Sequence, residues 1–182
     1  MKKIYPIIIS LCSGNAFAVD LFVQGGLHVG GDELVEAEFT DGNDEELNAG
    51  ELISLAVGVG TGIDEDVEAR LMVGVKFDTI DAENGDIEFF RYPVTALVMY
   101  KTSEKISIGG GVTYHLNPSL SGDGIASGVD VDFDDALGFV LSAEYLLSNG
   151  GYAGIQYTNI DYEFSGIEVS GNSIGGILGV RF

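Results

Sequence analysis

Apolar and polar residues alternate along most of this chain, which indicates β-strands that have one apolar face. The clearest stretch begins at Val67, and its odd-numbered residues through Phe77 are Val, Ala, Leu, Val, Val and Phe. The even-numbered residues between them include Glu68, Arg70 and Lys76. Stretches of this kind predict eight strands. They cover Val19–Val29, Leu52–Gly60, Val67–Ile80, Phe90–Tyr100, Ile106–Leu116, Leu137–Leu147, Tyr152–Phe164 and Ser173–Phe182.

The connections between the predicted strands alternate in length. Residues 30–51 and 118–134 are long, 81–86 and 165–171 are intermediate, and 61–66, 101–105 and 148–151 are short. Short turns at one end and longer loops at the other are typical of antiparallel barrels in the bacterial outer membrane, which have an even number of strands. The longer connections are then expected to face the outside of the cell. The alternation changes phase near Asn159, which predicts either a bulge or an extension of the seventh strand beyond the membrane.

Two kinds of eight-stranded barrel fit this pattern, and they differ in where the apolar face points. A soluble, lipocalin-like barrel turns it inward, whereas a transmembrane barrel turns it toward lipid. The opposite face carries seven charged residues, which are Glu68, Arg70, Lys76, Asp78, Arg91, Glu144 and Arg181. Buried charges need partners, and a narrow lumen can supply them mutually. The charges therefore favour an all-β, eight-stranded, antiparallel, up-and-down transmembrane β-barrel.

Aromatic residues on the apolar face are expected to lie in two girdles, one at each surface of the membrane. They are Tyr92, Tyr100, Tyr114, Tyr145, Tyr152, Tyr157 and Phe182.

The first 18 residues have the features of a secretory signal peptide. Lys2 and Lys3 precede an apolar run from Ile4 to Cys12, and residues 16–18 form a small-x-small cleavage site. We expect residues 19–182 to form the barrel domain. That domain would contain no cysteine, and its six Lys and Arg against 29 Asp and Glu give a net charge of −23. This acidity argues against nucleic acid as a partner, and no later run of about 20 apolar residues predicts a membrane-spanning helix.

The closing hairpin of the chain resembles a known superfamily. Residues 154–162 read Gly-Ile-Gln-Tyr-Thr-Asn-Ile-Asp-Tyr, and a short loop and a glycine-rich strand that ends at Phe182 follow. This arrangement is similar to the C-terminal hairpin of the small outer-membrane barrels of the OmpA/OmpX type. The resemblance implies location in the outer membrane among lipid and lipopolysaccharide. It also implies that Phe182 is part of the signal read by the barrel assembly machinery.

The inward charges can be interpreted in two ways, as a plug or as a gate. An eight-stranded barrel is just wide enough for its own side chains, so the seven charges named above are expected to form an ion-paired plug. We prefer this to a gate, in which exchange of ion-pair partners opens a narrow channel for small solutes. Four inward glycines are expected to make room for the long charged side chains. They are Gly109, Gly111, Gly138 and Gly175.

An enzymatic role is the second alternative. The segment from Tyr114 to Ser119 contains His115 and is similar to the His-x-Ser element of outer-membrane lipid A deacylases. Asn117, however, occupies the position of the serine nucleophile. A triad of His115, Ser119 and Asp123 is conceivable, but the spacing does not require it. We therefore expect no catalytic residues and no cofactor.

The long connections hold most of the acidic residues. Residues 32–46 contain eight carboxylates, and residues 130–135 read Asp-Val-Asp-Phe-Asp-Asp. Oxygen-rich segments of this kind suit Ca²⁺ or Mg²⁺, so divalent cations that bridge to lipopolysaccharide are a possible partner. A solvated acidic surface without bound metal is the alternative, and we prefer it. The sequence thus predicts an integral outer-membrane barrel with a structural or surface-interaction role.

Overall fold

The computed structural model describes residues 19–38, 44–50, 52–82, 85–124, 127–148 and 150–182. The predicted signal peptide and Asp41 of the first loop lie outside these residues. Thirteen strands occur in this part of the chain. They are β1 (Val19–Val29), β2 (Glu33–Glu38), β3 (Asp44–Asn48), β4 (Leu52–Gly62), β5 (Val67–Ala82), β6 (Gly85–Lys101), β7 (Ile106–Gly122), β8 (Val131–Asp132), β9 (Ala136–Leu146), β10 (Gly151–Asn159), β11 (Asp161–Phe164), β12 (Ile167–Ser170) and β13 (Ser173–Arg181).

Eight of these strands close into a barrel, which confirms the predicted fold. Each pairs antiparallel with its neighbours in the order β1-β4-β5-β6-β7-β9-β10-β13, and β13 returns to β1. Three short turns, the first residue of β1 (Val19) and the last residue of the chain (Phe182) lie at one end of the barrel, here called the turn end. The hairpins β2–β3 and β11–β12 and the connection from β7 to β9 lie at the opposite end, the loop end. No helix in the described residues is long and apolar enough to cross a membrane.

The outer surface of the barrel is apolar. Leu141, Val57 and Leu178 expose 61%, 54% and 67% of their surface, and their neighbours along the strands point into the lumen. Monomeric soluble proteins rarely expose contiguous apolar patches of more than a few hundred Å². The apolar face therefore points outward, as the charges on the opposite face predicted.

The exposed aromatic residues lie at two levels, as predicted, with one exception. Tyr100, Tyr145 and Phe182 are near the turn end, and Tyr114 and Tyr157 are near the loop end. The prediction for Tyr152 was wrong, because this side chain points into the lumen and is 2% exposed. Ile155 and Tyr157 of the same strand point outward, so strict alternation places residue 152 on the inward side, and the prediction did not follow that phase.

The change of phase near Asn159 is an extension of the strand and not a bulge. The pairing of β10 with β9 and β13 runs without a shift to its end, and Ile160 and Tyr162 continue the inward phase. The side-chain oxygen of Asn172 accepts a hydrogen bond from the Ile160 amide at 2.8 Å, where the separate hairpin β11–β12 begins. Apolar residues enter the inward phase here because the interior itself becomes apolar near the loop end.

A bulge does occur in β7, opposite Arg91. The register between β6 and β7 shifts between Phe90 and Tyr92, and Asn117 adopts a positive φ of 45°. Residues that point inward are odd-numbered up to His115 and even-numbered from Pro118 onward. The bulge thus directs Pro118 and Leu120 into the interior at the loop end.

The inward glycines make room for neighbours other than those predicted. A Cβ atom at Gly109, Gly138 or Gly175 would lie closest to side-chain atoms of Met99, Ile160 or His28 and to backbone, and one at Gly111 would meet the backbone of Ala96. The long charged side chains lie elsewhere. Gly179 faces the ring of Tyr152 in the same way.

Gly179 provides a test of how tightly the lumen is packed. Tyr152 is buried and donates a hydrogen bond to Gln24 Oε1 at 3.0 Å, so a Cβ at residue 179 would displace a fixed ring. We expect Gly179→Ala to lower the free energy of unfolding by about 1–3 kcal/mol. The measurement is denaturant titration of the protein in lipid. Gly176→Ala on the outer face of the same strand is the control, because no atom lies within 4 Å of its Cβ position; equal effects of both changes would contradict the packing described.

Candidate functional site: the lumen and the loop end

The turn end of the lumen is closed by a group of ion pairs. The Arg70 guanidinium contacts Glu68 through Nε and donates to both carboxylate oxygens of Glu144 at 2.8 and 2.9 Å. Arg181 bonds to Glu68 at 3.1 Å and lies 3.5 Å from Asp20. These contacts link β5, β9, β13 and β1 across the barrel. Arg70 and Glu144 are 7% and 6% exposed, whereas Arg181 is partly open to solvent at the rim.

Aromatic rings line the same level of the lumen. The Arg70 guanidinium carbon lies 4.4 Å from the centre of the Phe22 ring and 5.6 Å from that of Tyr152. A cation over an aromatic face is stabilised by the ring quadrupole, and more so where water is excluded. Below this group, a cavity of about 250 Å³ is bordered by residues of the short turns and reaches up to Arg70. It is a vestibule that ends at the ion pairs.

The middle of the lumen is crossed by uncharged hydrogen bonds. The Gln24 amide nitrogen donates to Gln156 at 3.3 Å, Thr95 and Thr113 share a 2.9 Å bond, and the His28 ring lies 2.8 Å from Ser54. A cavity of about 50 Å³ remains between these residues. It has room for one or two water molecules, since each occupies about 30 Å³ in the liquid.

A second charged group lies nearer the loop end. Lys76 donates to Ser173 at 3.0 Å and to the backbone oxygen of Gly50, so it ties the first loop to the barrel wall. Arg91 is fully buried and lies directly opposite Lys76 on the adjacent strand. Its guanidinium carbon lies 4.3 Å from the centre of the Phe89 ring. Asp78 is buried two residues further along β5.

The predicted charged plug is thus two separate groups. Glu68, Arg70, Glu144 and Arg181 lie at the turn end, and Lys76, Asp78 and Arg91 are buried inside the lumen, nearer the loop end. Arg70 and Lys76 are six residues apart on β5, which is roughly 20 Å along an extended strand. The uncharged layer separates the two groups.

An apolar cluster covers the lumen at the loop end, and the sequence reasoning missed it. This apolar cap consists of Leu47, Ala49, Ile87, Phe89, Leu120, Phe133, Ala136, Ile160 and Tyr162. Its rings pack edge to face, with Phe89 5.6 Å from Phe133 and 5.7 Å from Tyr162. Burial raises the pKa of Tyr162 to about 12, against the opposing effect of the Arg91 charge. The signal for the cap was the apolar residues that enter the inward phase at the loop ends of several strands.

In the part of the chain that the structure describes, His115 and the acidic run at residues 130–135 have partners other than those that a catalytic or metal site would need. His115 is buried in the lumen, where its Nδ1 lies 2.7 Å from the Tyr162 hydroxyl. Its ring therefore forms a hydrogen bond with a residue of the apolar cap. Asp135 of the acidic run accepts hydrogen bonds from the Asn117 amide at 2.8 Å and the Tyr114 hydroxyl at 3.2 Å. Within the described residues, no three carboxylate or histidine side chains come together as a metal site would require.

The loop end is anionic without exception. Its connections contain nine carboxylates in residues 30–51, four in 79–88, five in 117–135 and three in 159–172, and none of these segments contains Lys or Arg. The six Lys and Arg of residues 19–182 are Arg70, Lys76, Arg91, Lys101, Lys105 and Arg181. Four of them border the lumen and two lie at the turn between β6 and β7. The connections of the loop end therefore carry no cation of their own to neutralise their field.

Solved structures of outer-membrane barrels have this fold. The chain is similar to Ail, the attachment invasion locus protein of Yersinia pestis, with a TM-score of 0.57 at 13% sequence identity over 90% of this chain and 97% of that one. It is similar to Neisserial surface protein A (NspA) with a TM-score of 0.54 at 13% identity over the same shares. No protein-family model and no curated protein matches the sequence. The likeness is one of fold.

Replacement of Arg70 tests the ion pairs at the turn end. Arg70→Met leaves Glu144 buried without its cation, so we expect the free energy of unfolding to fall by about 3–5 kcal/mol. Arg70→Met combined with Glu144→Met should recover at least half of that loss, because the orphaned carboxylate is then removed. Denaturant titration in lipid measures both variants. Lys101→Met, at an exposed cation of the turn end, is the control, and an equal effect of Lys101→Met and Arg70→Met would refute the role of the buried pairs.

Proposed function

We propose that this protein is an integral outer-membrane barrel that presents its loop end for interaction at the cell surface and neither catalyses a reaction nor conducts solutes. The observation that carries this proposal is the combination of an apolar outer surface with a lumen that three packed layers block between the vestibule and the loop end. The first feature requires a surrounding of hydrocarbon. The second leaves the loop end as the part of the molecule that can meet other molecules.

The contents of the lumen argue against the channel alternative. Three layers lie between the vestibule and the loop end: the ion pairs around Arg70, the hydrogen bonds around Gln24 and the apolar cap. The cavity in the middle layer, at about 50 Å³, is smaller than any hydrated solute. A conducting path would require all three layers to rearrange together, which costs the buried charges their partners.

The negative charge of the loop end distinguishes this protein from one structural relative. Ail has been solved in complex with the heparin analogue sucrose octasulfate. A polysulfate that approached this chain would meet 21 carboxylates in the connections of the loop end and no Lys or Arg. We therefore propose that the partners of this protein are not polyanions. Lipopolysaccharide is itself anionic. It would therefore contact the loop end through bridging divalent cations, as proposed from the acidic loops of the sequence.

Embedding in lipid is tested by a charge on the outer face. Val57 lies at the centre of β4 and is exposed, so Val57→Arg places a guanidinium in hydrocarbon. We expect it to lower the free energy of unfolding in phospholipid bilayers by about 2–4 kcal/mol. Ile63→Arg is the matched control, because Ile63 is at least as exposed as Val57 but lies in a short turn. A cost below about 1 kcal/mol for both variants would show that Val57 does not face hydrocarbon.

Conductance is tested by recording from the purified protein in planar bilayers. We expect no single-channel steps, because the ion pairs and the apolar cap block the lumen at both levels. The same sample should show the heat-dependent gel mobility of a folded barrel, so that absence of steps is not absence of protein. Reproducible steps from folded protein would establish the channel alternative.

A further inference from the structure

The hairpin β11–β12 at the loop end is amphipathic. Its strands pair Tyr162 with Val169 and Phe164 with Ile167, which places these four apolar side chains on one face. The other face carries acidic and polar residues, which are Asp161, Glu163, Glu168 and Ser170. A two-stranded ribbon of this kind is stable only when its apolar face is covered.

Only half of that apolar face is covered in this structure. Tyr162 is 1% exposed and Val169 packs against the apolar cap, whereas Phe164 and Ile167 at the tip are 39% and 63% exposed. The ring of Phe164 lies 6.0 Å from that of Phe133, so the tip continues the apolar cap outward. The uncovered pair is therefore the exposed edge of a buried cluster and not an isolated surface residue.

The tip is held in a defined conformation. Ser165 and Gly166 both have positive φ angles, 51° and 81°, as in the tight turns of hairpins that have a two-residue loop. The Asp134 amide donates to Glu163 O at 2.9 Å and the Asp32 amide to Ser170 O at 2.7 Å, so the neighbouring loops anchor both strands. A surface that is ordered before binding loses less conformational entropy when it binds.

Charge decides what can cover the tip. A second copy of the chain would bring another loop end without Lys or Arg against this one, and an anionic lipid surface would meet the same repulsion. A cationic partner is attracted instead, by Glu163 and Glu168 on the hairpin and by Asp132 and Asp134 beside it. Like charges opposed across an interface select against the wrong partner, and opposite charges accelerate association.

We propose that Phe164 and Ile167 form a docking site for a cationic, amphipathic peptide segment of another molecule. The apolar side chains of that segment cover the tip, and its Lys or Arg side chains pair with the surrounding carboxylates. This inference rests on the proposed function, because it requires the loop end to face the outside of the cell.

The test uses the full-length protein in nanodiscs of zwitterionic phosphatidylcholine and two synthetic peptides of equal charge. One peptide alternates Lys with Leu, and the other alternates Lys with Ser. We expect the protein to bind the Lys-Leu peptide about tenfold more tightly than the Lys-Ser peptide, because only the first buries apolar surface. Ile167→Ser and the double variant Phe164→Ser with Ile167→Ser should remove this preference and leave binding of the Lys-Ser peptide unchanged.

Two further variants separate the apolar site from general attraction. Glu163→Gln with Glu168→Gln should weaken both peptides equally. Ile63→Ser, at an exposed isoleucine beside Asp64 in a short turn, should weaken neither. The proposal is overturned if the two peptides bind the wild type alike, if Ile63→Ser matches Ile167→Ser, or if the tip variants instead abolish pairing of two barrels through their loop ends. A failure of the proposed function appears separately, as protein that does not enter the nanodisc fraction.

Discussion

The structure depends on closure of the hydrogen-bonded ladder between β13 and β1. A closed sheet satisfies every backbone amide and carbonyl within the barrel wall, which is what hydrocarbon requires of a chain that crosses it. Successive side chains of a strand point to opposite faces of the sheet, so closure makes one face the lumen and the other the outer surface. With eight strands the interior holds only side chains, so each inward residue must fit its inward neighbours. The ion pairs of Arg70, the ring of Tyr152 beside Gly179 and the apolar cap are all consequences of this restriction.

The restriction also accounts for the distribution of charge. Buried carboxylates at residues 78 and 144 need cations, and the lumen takes four of the six that residues 19–182 contain. The remaining two lie at the turn end. Acidic residues that lie outside the barrel thus have no internal counter-ions, and the loop end keeps an unbalanced negative field. The same chain therefore combines a neutralised interior with an anionic surface toward which only cationic molecules are drawn.

Alternation along the sequence was sufficient to predict the eight strands of the barrel and the inward direction of the charges, but not the short strands of the loop end. It was not sufficient where the phase or the polarity of the interior changes. The bulge at Asn117 depends on a local backbone conformation that alternation does not reveal. Phe133 and Leu47 belong to the apolar cap but come from loops with acidic neighbours, so only the folded chain brings them together. The division of the charges into two groups likewise depends on distance along β5 and not on residue type.

The direction of the apolar face is the central claim, and quenching by brominated lipid tests it most directly. The chain contains no tryptophan, so single Trp residues report from known positions. Phe22 points into the lumen at 1% exposure, and the adjacent Val23 points outward at 49%. In bilayers with brominated acyl chains, the fluorescence of Val23→Trp should be strongly quenched and that of Phe22→Trp should change little. Equal quenching, or stronger quenching of Phe22→Trp, would contradict a barrel with its apolar face in hydrocarbon.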